Sequence, residues 1–185
     1  MSALSDTVFI DNTRLWVERV VIGLKLCPFA PAPAIKDLIR YVVSEATTRE
    51  ALLEDLVGEL QRLVAVSPEE IETTLLIHPH VLRDFHDYND FLEVADEALQ
   101  VLELEGEIQI ASFHPEYQFA DTEADDVTNA TNRSPYPTLH LLREASIARA
   151  VDSFGDTDMI STTNIATLKK LGHEGLAALT RNNPG

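Results

Sequence analysis

The stretch "TTLLIHP", residues 73–79, is short, apolar and bounded by a proline. A run of this length without alternating polar residues predicts a β-strand that is buried on both faces. Two further strands are predicted around it. "LIRYVVSE" (38–45) is rich in β-branched and aromatic residues, and "EIQIASFHP" (107–115) has a similar character. The fold must therefore be built around a sheet that includes these three segments.

Helical patterns separate the three predicted strands. "TTRE" (47–50) is a capping box, and leucines at helical spacing follow it to about residue 66. A longer helix begins near Asp84, keeps its apolar residues on one face and ends at Gly106. Strands that alternate with helices indicate parallel pairing through right-handed crossovers.

Helices are also predicted at both ends of the chain. The first 23 residues show one apolar face, a helix that begins near Pro135 and Pro137 continues to Val151, and a last helix covers roughly 162–180. We therefore expect one domain over 1–185, a small α/β sandwich with a mainly parallel βαβαβ core, a long polar loop and two C-terminal helices. The alternative is a ferredoxin-like α+β fold with a mixed or antiparallel sheet.

Charge and composition exclude several classes of function. The chain has 14 Lys and Arg against 31 Asp and Glu, which gives a net charge of −17. Such a surface repels nucleic acid and anionic lipid, because phosphate contacts need clustered cations. No apolar run approaches the roughly 20 residues that a transmembrane helix needs, and the N-terminus lacks the pattern of a signal peptide. A single cysteine allows no intrachain disulfide, so we expect a cytoplasmic protein.

Two histidines follow predicted strands, and each stands directly before a proline. They are His78 in "LLIHPH" and His114 in "ASFHPE". The carboxyl ends of parallel strands meet at one edge of a sheet, where ligands commonly bind. We therefore expect both imidazoles on the same rim, with His80 pointing the same way if the chain stays extended.

The long segment from His114 to about Pro137 shows no sustained period, and loops of this length are usually functional or disordered. We expect it to fold over the rim and to contribute polar side chains to a pocket. Arg133 and Ser134 stand beside a predicted helix start, which attracts anions, and Arg offers a fork for phosphate or carboxylate. The substrate-binding candidates are Arg133, Asn129, Asn132, Ser134, His140 and Arg143.

These residues predict an enzyme that acts on a small polar or anionic metabolite, as a hydrolase or a transferase. His114 would be the general acid or base, assisted by His78. Asp126 would orient an imidazole, and Cys27 would be a nucleophile or a metal ligand. The alternative function is a non-catalytic module that binds a small anion or a protein partner.

A divalent metal ion is a further expectation, because imidazole and carboxylate groups together suit such an ion. Its candidate ligands are His78, His80, His114 and Asp125. The pattern of a calcium loop fails in "DTEADD" (121–126), because Asp126 stands where glycine is needed. No glycine-rich phosphate loop is present in the sequence.

Each candidate also has a structural interpretation. A histidine at a strand end can cap a backbone carbonyl, and the pair Asp125–Asp126 can begin a turn or cap a helical turn. Arg133 can clamp the loop, and the whole loop can be an Ω-type structure held by its own Asn and hydroxyl groups. Cys27 lies between apolar residues, which is typical of a buried, inert thiol. 

Three blocks of the sequence resemble an uncharacterised bacterial family, domain of unknown function 1415. The blocks are "LCPFA" (26–30), "FHPEYQFA" (113–120) and "DDVTNATNRSPYPTLHLLREASI" (125–147). The resemblance implies a stand-alone bacterial cytosolic protein and brings no activity with it. It also implies a set of signature residues, namely Cys27, His114, Asp125, Asp126, Asn132, Arg133 and His140. The chain departs from the pattern at Asp121, where a glycine is expected, and at "STT" (161–163), where a charged, aromatic segment is expected.

Overall fold

A computed structural model describes residues 6–181 of the chain. Its strands are β1 (Ile39–Val43), β2 (Thr73–Ile77), β3 (Ile108–Phe113) and β4 (Thr138–Arg143). Its α-helices are α1 (Asp6–Trp16), α2 (Pro31–Ile35), α3 (Arg49–Ala65), α4 (Phe85–Val101), α5 (Glu144–Phe154) and α6 (Met159–Thr180). A π-helical turn, Val17–Ile22, follows α1, and a 3₁₀ segment, Val127–Asn132, lies between β3 and β4.

The strand predicted from "TTLLIHP" lies inside the sheet, and all five of its residues are buried. The strand order is β1-β2-β4-β3. β1 pairs with β2 in parallel, whereas β4 is antiparallel to both β2 and β3. β1, β2 and β3 therefore run in one direction, and β4 runs in the opposite direction between β2 and β3. The predicted α/β class is confirmed, and the sheet is mixed, as in the alternative fold.

The mainly parallel core was not found, because residues 138–143 form a strand and not the start of a helix. Leu139 and Leu142 fit a helical spacing, which suggested the helix, but "TLHLLR" also alternates with a period of two. In the structure Leu139 and Leu141 are fully buried on one face, and His140 lies on the other face. Helix α5 begins only at Glu144.

Helices cover both faces of the sheet. On one face α3 and α4 pack on Leu76, Leu139 and Leu141 in a single apolar cluster. Helix α4 begins as predicted, and Asp84 accepts from the amides of His86 and Asp87. Helix α3 is capped one residue later than the capping box "TTRE" implies, because the Thr48 hydroxyl accepts from the Ala51 amide.

The opposite face of the sheet packs against both ends of the chain. Trp16, Val20 and Leu168 meet Leu75 of β2 in a second apolar cluster. The predicted N-terminal helix is seen from Asp6, and its first five residues lie outside the described part of the chain. It ends at Gly23, where a Cβ would overlap the carbonyl oxygen of Arg19, so the π-helical turn requires a glycine.

Helix α6 confirms the last predicted helix but contains a break. Gly172 has φ 69° and ψ 175°, which is not helical, and the helix changes direction there. Within residues 6–181, no helix is both long and apolar enough to cross a membrane.

Candidate functional site

His78 and His114 lie at the same edge of the sheet, as predicted. Ile77 and Phe113 end their strands opposite the same residue of β4, Thr138. The next residues are the two histidines, and both are fully buried. Both rings contact the ring of Tyr88, at centroid distances of 5.7 Å for His78 and 5.0 Å for His114. The rim expected from the sequence therefore exists, but its imidazoles lie beneath the surface.

The ring of His114 is held by the backbone through both nitrogens. Nδ1 accepts from the Glu116 amide at 3.0 Å, so Nε2 carries the proton and donates to the Leu82 carbonyl at 3.1 Å. Burial lowers the pKa of His114, and the ring is neutral near pH 7. No nitrogen is left for proton transfer to a substrate. This geometry favours the structural interpretation of His114, and its role as a general acid or base stays a prediction.

His78 is also held as a neutral ring. Its Nδ1 lies 3.1 Å from the carbonyl oxygen of Val81, and burial lowers its pKa to about 4. Its Nε2 is buried and has no hydrogen-bond partner among the described residues. The hydroxyl of Tyr88, which the sequence indicated only as part of a helix face, donates to the Thr138 carbonyl and accepts from the Phe113 amide. This buried cluster joins α4 to β3 and β4.

The four predicted metal ligands do not meet. His80 lies 3.9 Å from Glu45 and packs its ring edge on Phe9, whereas Asp125 is exposed on the loop. Among residues 6–181 there is no group of three or more His, Cys, Asp or Glu side chains placed to hold a metal ion. The expected metal site at His78, His80, His114 and Asp125 is therefore not assembled.

The polar side chains of the loop hold the loop itself. Asp126 caps the 3₁₀ segment by accepting from the amide and hydroxyl of Thr128, which lowers its pKa. Asn129 is fully buried, accepts from the Phe119 amide and the Thr122 hydroxyl, and donates to the Glu123 carbonyl. Neither side chain has the orienting or substrate-binding position that the sequence suggested.

The remaining loop candidates make similar contacts. Asn132 donates to the Ser112 carbonyl of β3, and the Ser134 hydroxyl donates to the Tyr136 carbonyl. Arg133 donates through Nε to the Tyr117 carbonyl at 2.9 Å and through one Nη to the Ala124 carbonyl at 2.6 Å. The Ω-type interpretation of the loop therefore describes these contacts well.

Arg143 is a clamp between elements. Its guanidinium donates to the carbonyls of Leu63, Val66 and Ile71, which lie at and beyond the C-terminal end of α3. Desolvation lowers its pKa, but the group stays charged because the pKa of arginine is far above neutrality. His140, another of the substrate-binding candidates, lies in the middle of β4, where the sequence predicted a helix.

Two cavities flank Trp16 on the face of the sheet opposite α3 and α4. The first, here called the arginine cavity, has a volume of about 450 Å³ and lies between α1, the 3₁₀ segment and α6. Its polar lining consists of Asn12, Arg133, Ser134, His173 and Thr180. Two of these residues, Arg133 and Ser134, were predicted to bind substrate.

The guanidinium of Arg133 has no carboxylate partner in the described part of the chain. Its Nε and one Nη are bound to loop carbonyls, and the other Nη makes no hydrogen bond within residues 6–181. Among the residues that the structure describes, the positive charge at this wall of the cavity therefore has no carboxylate partner.

The second cavity, here called the histidine cavity, has a volume of about 300 Å³ and lies between the sheet, the segment 27–33 and α5. Its walls are mainly apolar and include Trp16, Phe29 and Phe113. Cys27 and His140 line it, so the tertiary structure brings together two candidates that are far apart in sequence. Cys27 is partly exposed and is not the buried thiol of the structural interpretation.

Sequence reasoning missed Trp16 and His173. Trp16 was assigned only to a helix face, but it forms a wall of both cavities, and its buried Nε1 has no hydrogen-bond partner among the described residues. His173 follows the break at Gly172 and reaches the arginine cavity. A glycine in the middle of the last helix was the local signal for that break.

Comparison with known proteins gave one match. A family model described as "Protein of unknown function (DUF1415)" matches residues 8–178. No curated protein and no solved structure matches the chain. The match covers nearly the whole chain and includes the residues around both cavities except Thr180, so the chain belongs to the DUF1415 family.

Proposed function

We propose that the protein binds a small anionic molecule in the arginine cavity, with Arg133 holding the anionic group. The observation that supports this proposal most strongly is the guanidinium of Arg133, which lines a cavity of about 450 Å³ and has no carboxylate partner within residues 6–181. The proposal keeps the anionic ligand expected from the sequence but moves its site away from the rim histidines.

The guanidinium is preorganised for this function. Its bonds to the carbonyls of Tyr117 and Ala124 fix the plane of the group before a ligand arrives. A fixed donor loses little conformational entropy on binding, so more of the interaction energy is available for affinity. The free Nη provides N–H donors for a carboxylate or phosphate oxygen.

The other walls of the arginine cavity indicate the chemical character of the rest of the ligand. Leu15, Val20 and Leu176 are apolar, so the molecule should carry an apolar part beside its anionic group. The volume lies within the roughly 300–1,000 Å³ of small-molecule sites. Ser134 offers no donor, because its hydroxyl proton is used for the Tyr136 carbonyl. Arg133 is therefore the main determinant of charge preference.

Catalysis is the second candidate function, and His173 is the observation that favours it. Its imidazole lies on the same cavity as Arg133. In a hydrolase or transferase, Arg133 would position the anionic group and His173 would act as general acid or base. This assignment replaces His114, whose two ring nitrogens are bound to the backbone.

The proposal includes a bacterial cytoplasmic location and no nucleic-acid partner. The single cysteine and the resemblance of the signature blocks support the location. The net charge of −17 disfavours phosphate backbones, which would need clustered cations.

Isothermal titration calorimetry with benzoate and phenyl phosphate tests the proposal, with methyl benzoate, which has neither a charge nor a hydroxyl donor, as the uncharged probe. We expect the two anions to bind and methyl benzoate to bind at least about tenfold more weakly, since a charged hydrogen bond contributes about 1.5–3 kcal/mol. Binding should weaken as salt is raised.

Two arginine variants provide the matched control. Arg133→Gln should abolish anion binding, and Arg143→Gln should leave it unchanged, because Arg143 is bound to the end of α3. Equal affinity of the wild type and Arg133→Gln would refute the proposal. For the catalytic version, hydrolysis of p-nitrophenyl phosphate or p-nitrophenyl acetate must be lost in His173→Gln while anion affinity is kept.

A further inference from the structure

The histidine cavity offers one hydrogen-bonding group at the centre of an apolar surface. His140 lies on β4 opposite Leu75 of β2 and Ala111 of β3, and all three residues line the floor of the cavity. Phe113 lies beside the imidazole at a centroid distance of 6.0 Å and contacts Trp16 at 5.3 Å. An isolated polar atom among such walls selects the orientation and the chemistry of a ligand.

The hydrogen bonds of Thr73 fix the tautomer of His140. The Thr73 hydroxyl donates to the Leu141 carbonyl at 2.7 Å, so its single proton is used there. The contact of 2.7 Å between Thr73 Oγ1 and His140 Nε2 then requires the proton to be on Nε2. Nδ1 therefore carries a lone pair, and it has no hydrogen-bond partner in the described part of the chain.

The imidazole stays neutral over the physiological range, because burial lowers its pKa to about 4. Nδ1 is consequently an acceptor and not a donor. A carboxylate would place its own lone pairs against that of Nδ1, whereas a hydroxyl group would donate to it. The site therefore favours ligands that carry a hydrogen-bond donor over ligands that carry only acceptors.

The charged residues on the edge of the cavity do not reverse this preference. Arg143 directs its N–H groups at the carbonyls of Leu63, Val66 and Ile71. Glu72 also lines the cavity, and its charge acts on Arg143. The two opposite charges offset each other at the edge, so the interior offers an anion little net attraction.

We infer that the histidine cavity is a second ligand site, which binds a small neutral molecule with an apolar body and one hydroxyl donor, such as a phenol. The volume of about 300 Å³ restricts the ligand to a small one. The inference is independent of the anion site, because it rests on different side chains apart from the shared wall of Trp16.

The probes for the test are p-cresol, p-xylene and p-toluate, which share an aromatic ring and differ in one group. In the wild type, p-cresol should bind at least about tenfold more tightly than p-xylene, since p-xylene leaves Nδ1 without a partner. In Arg133→Gln, where the arginine cavity no longer binds an aromatic carboxylate, p-cresol should exceed p-toluate by a similar factor. Calorimetry gives the affinities, and Arg133→Gln should leave those of p-cresol and p-xylene unchanged.

Cys27 is an internal reporter of occupancy, because it lines the cavity and is the single cysteine of the chain. Saturating p-cresol should slow alkylation of Cys27 by iodoacetamide several-fold. The variant Ala150→Phe, which fills the cavity from α5, should abolish both p-cresol binding and this protection.

The variant His140→Met separates the hydrogen bond from the apolar contribution. It should bind p-cresol and p-xylene equally, because the acceptor is gone while the apolar walls remain. The inference is overturned if wild-type protein does not prefer p-cresol over p-xylene, if the preference persists in His140→Met, or if p-cresol binds to Ala150→Phe. The wild-type comparison alone decides the matter if a variant does not fold.

Discussion

The polar loop of residues 114–137 and the cavity face of the sheet differ in how their polar groups are used. In the loop, Asn129 makes three hydrogen bonds to other parts of the loop. On the cavity face, a nitrogen of His140, one Nη of Arg133 and Nε1 of Trp16 have no hydrogen-bond partner within residues 6–181. A high density of polar residues in a loop therefore indicates that the side chains satisfy its irregular backbone. Polar groups without partners on the wall of a cavity indicate instead a surface that can bind a ligand.

Two histidines show the same contrast. His114 has a backbone partner at each ring nitrogen, and it connects the end of β3 to the loop before α4. His140 has one partner, Thr73, and presents its other nitrogen to a cavity. The two side chains are chemically identical. Only their hydrogen-bond partners distinguish the structural role of one from the proposed binding role of the other.

The largest expected effect is the dependence of stability on pH. Burial lowers the folded-state pKa of His78 and His140 to about 4, against an unfolded value of about 6.5. Between these values the unfolded chain binds protons that the folded chain excludes. The free energy of unfolding should therefore decrease as the pH falls from about 6.5 to about 4, by roughly 3 kcal/mol for each ring.

Urea unfolding at several pH values between 4 and 7 measures this dependence. The variant His140→Met should lose one of the two contributions, so its stability should decrease less steeply with falling pH. An unchanged slope in that variant would mean that His140 is not held neutral, and its Nδ1 would then not be the acceptor that the histidine cavity is proposed to offer.

A smaller effect is expected from Asn129→Ala. The change leaves the Phe119 amide without its partner and removes one of the two donors to the Glu123 carbonyl, in a place where the side chain is fully buried. We expect a loss of about 2–3 kcal/mol in the free energy of unfolding, measured by urea at pH 7. Anion affinity should change little if the folded loop still fixes Arg133, and an unaffected stability would contradict a structural role for the loop.

The two arginines allow a matched comparison. Arg143→Met should lower the free energy of unfolding by about 2 kcal/mol, because three carbonyls at and beyond the end of α3 lose a charged donor. Arg133→Met should cost about 1 kcal/mol, since it loses two bonds at a partly exposed site. Thermal and urea unfolding measure both, and a reversed order would show that Arg133 is the main structural clamp.

The smallest effects are expected from the adjacent acids. Asp126→Ala should lower the thermal midpoint, because the 3₁₀ segment loses its cap. Asp125→Ala should leave it unchanged, since that side chain is exposed. Scanning calorimetry measures both, and repeating it with EDTA should give the same midpoints. A shift with EDTA would restore the metal site that the geometry does not support.

Much of the fold could be predicted because its signals are local. The cap at Asp84 and the apolar run of β2 act over a few residues, and the structure confirms both. The start of α3 was predicted to within one residue. The shared edge of His78 and His114 was also predicted correctly, because β2 and β3 run in the same direction even though β4 lies between them. The strand β4 was missed because six residues with two leucines at i and i+3 fit either period.

The candidate site was predicted only in part. Arg133, Ser134, Cys27 and His140 were named from the sequence, and all four line a cavity. Their grouping was not predicted, because it depends on α1 and α6 packing on the same face of the sheet. The rim pocket around His114 was expected from the strand order, but Leu82 and Glu116 occupy both ring nitrogens.

The sequence by itself determined strands β1, β2 and β3, helices α1, α3, α4 and α6, the end of the sheet at which the polar loop begins and the excess of negative charge. Those properties depend on composition and on contacts between near neighbours in the chain. Only the tertiary structure decided which polar groups are satisfied. Arg143 bonds to carbonyls between 72 and 80 residues away, and Asn164 donates to Leu26, 138 residues away. A hydrogen bond forms only at contact distance. Whether a polar group has a hydrogen-bond partner is therefore decided only when folding brings distant parts of the chain together.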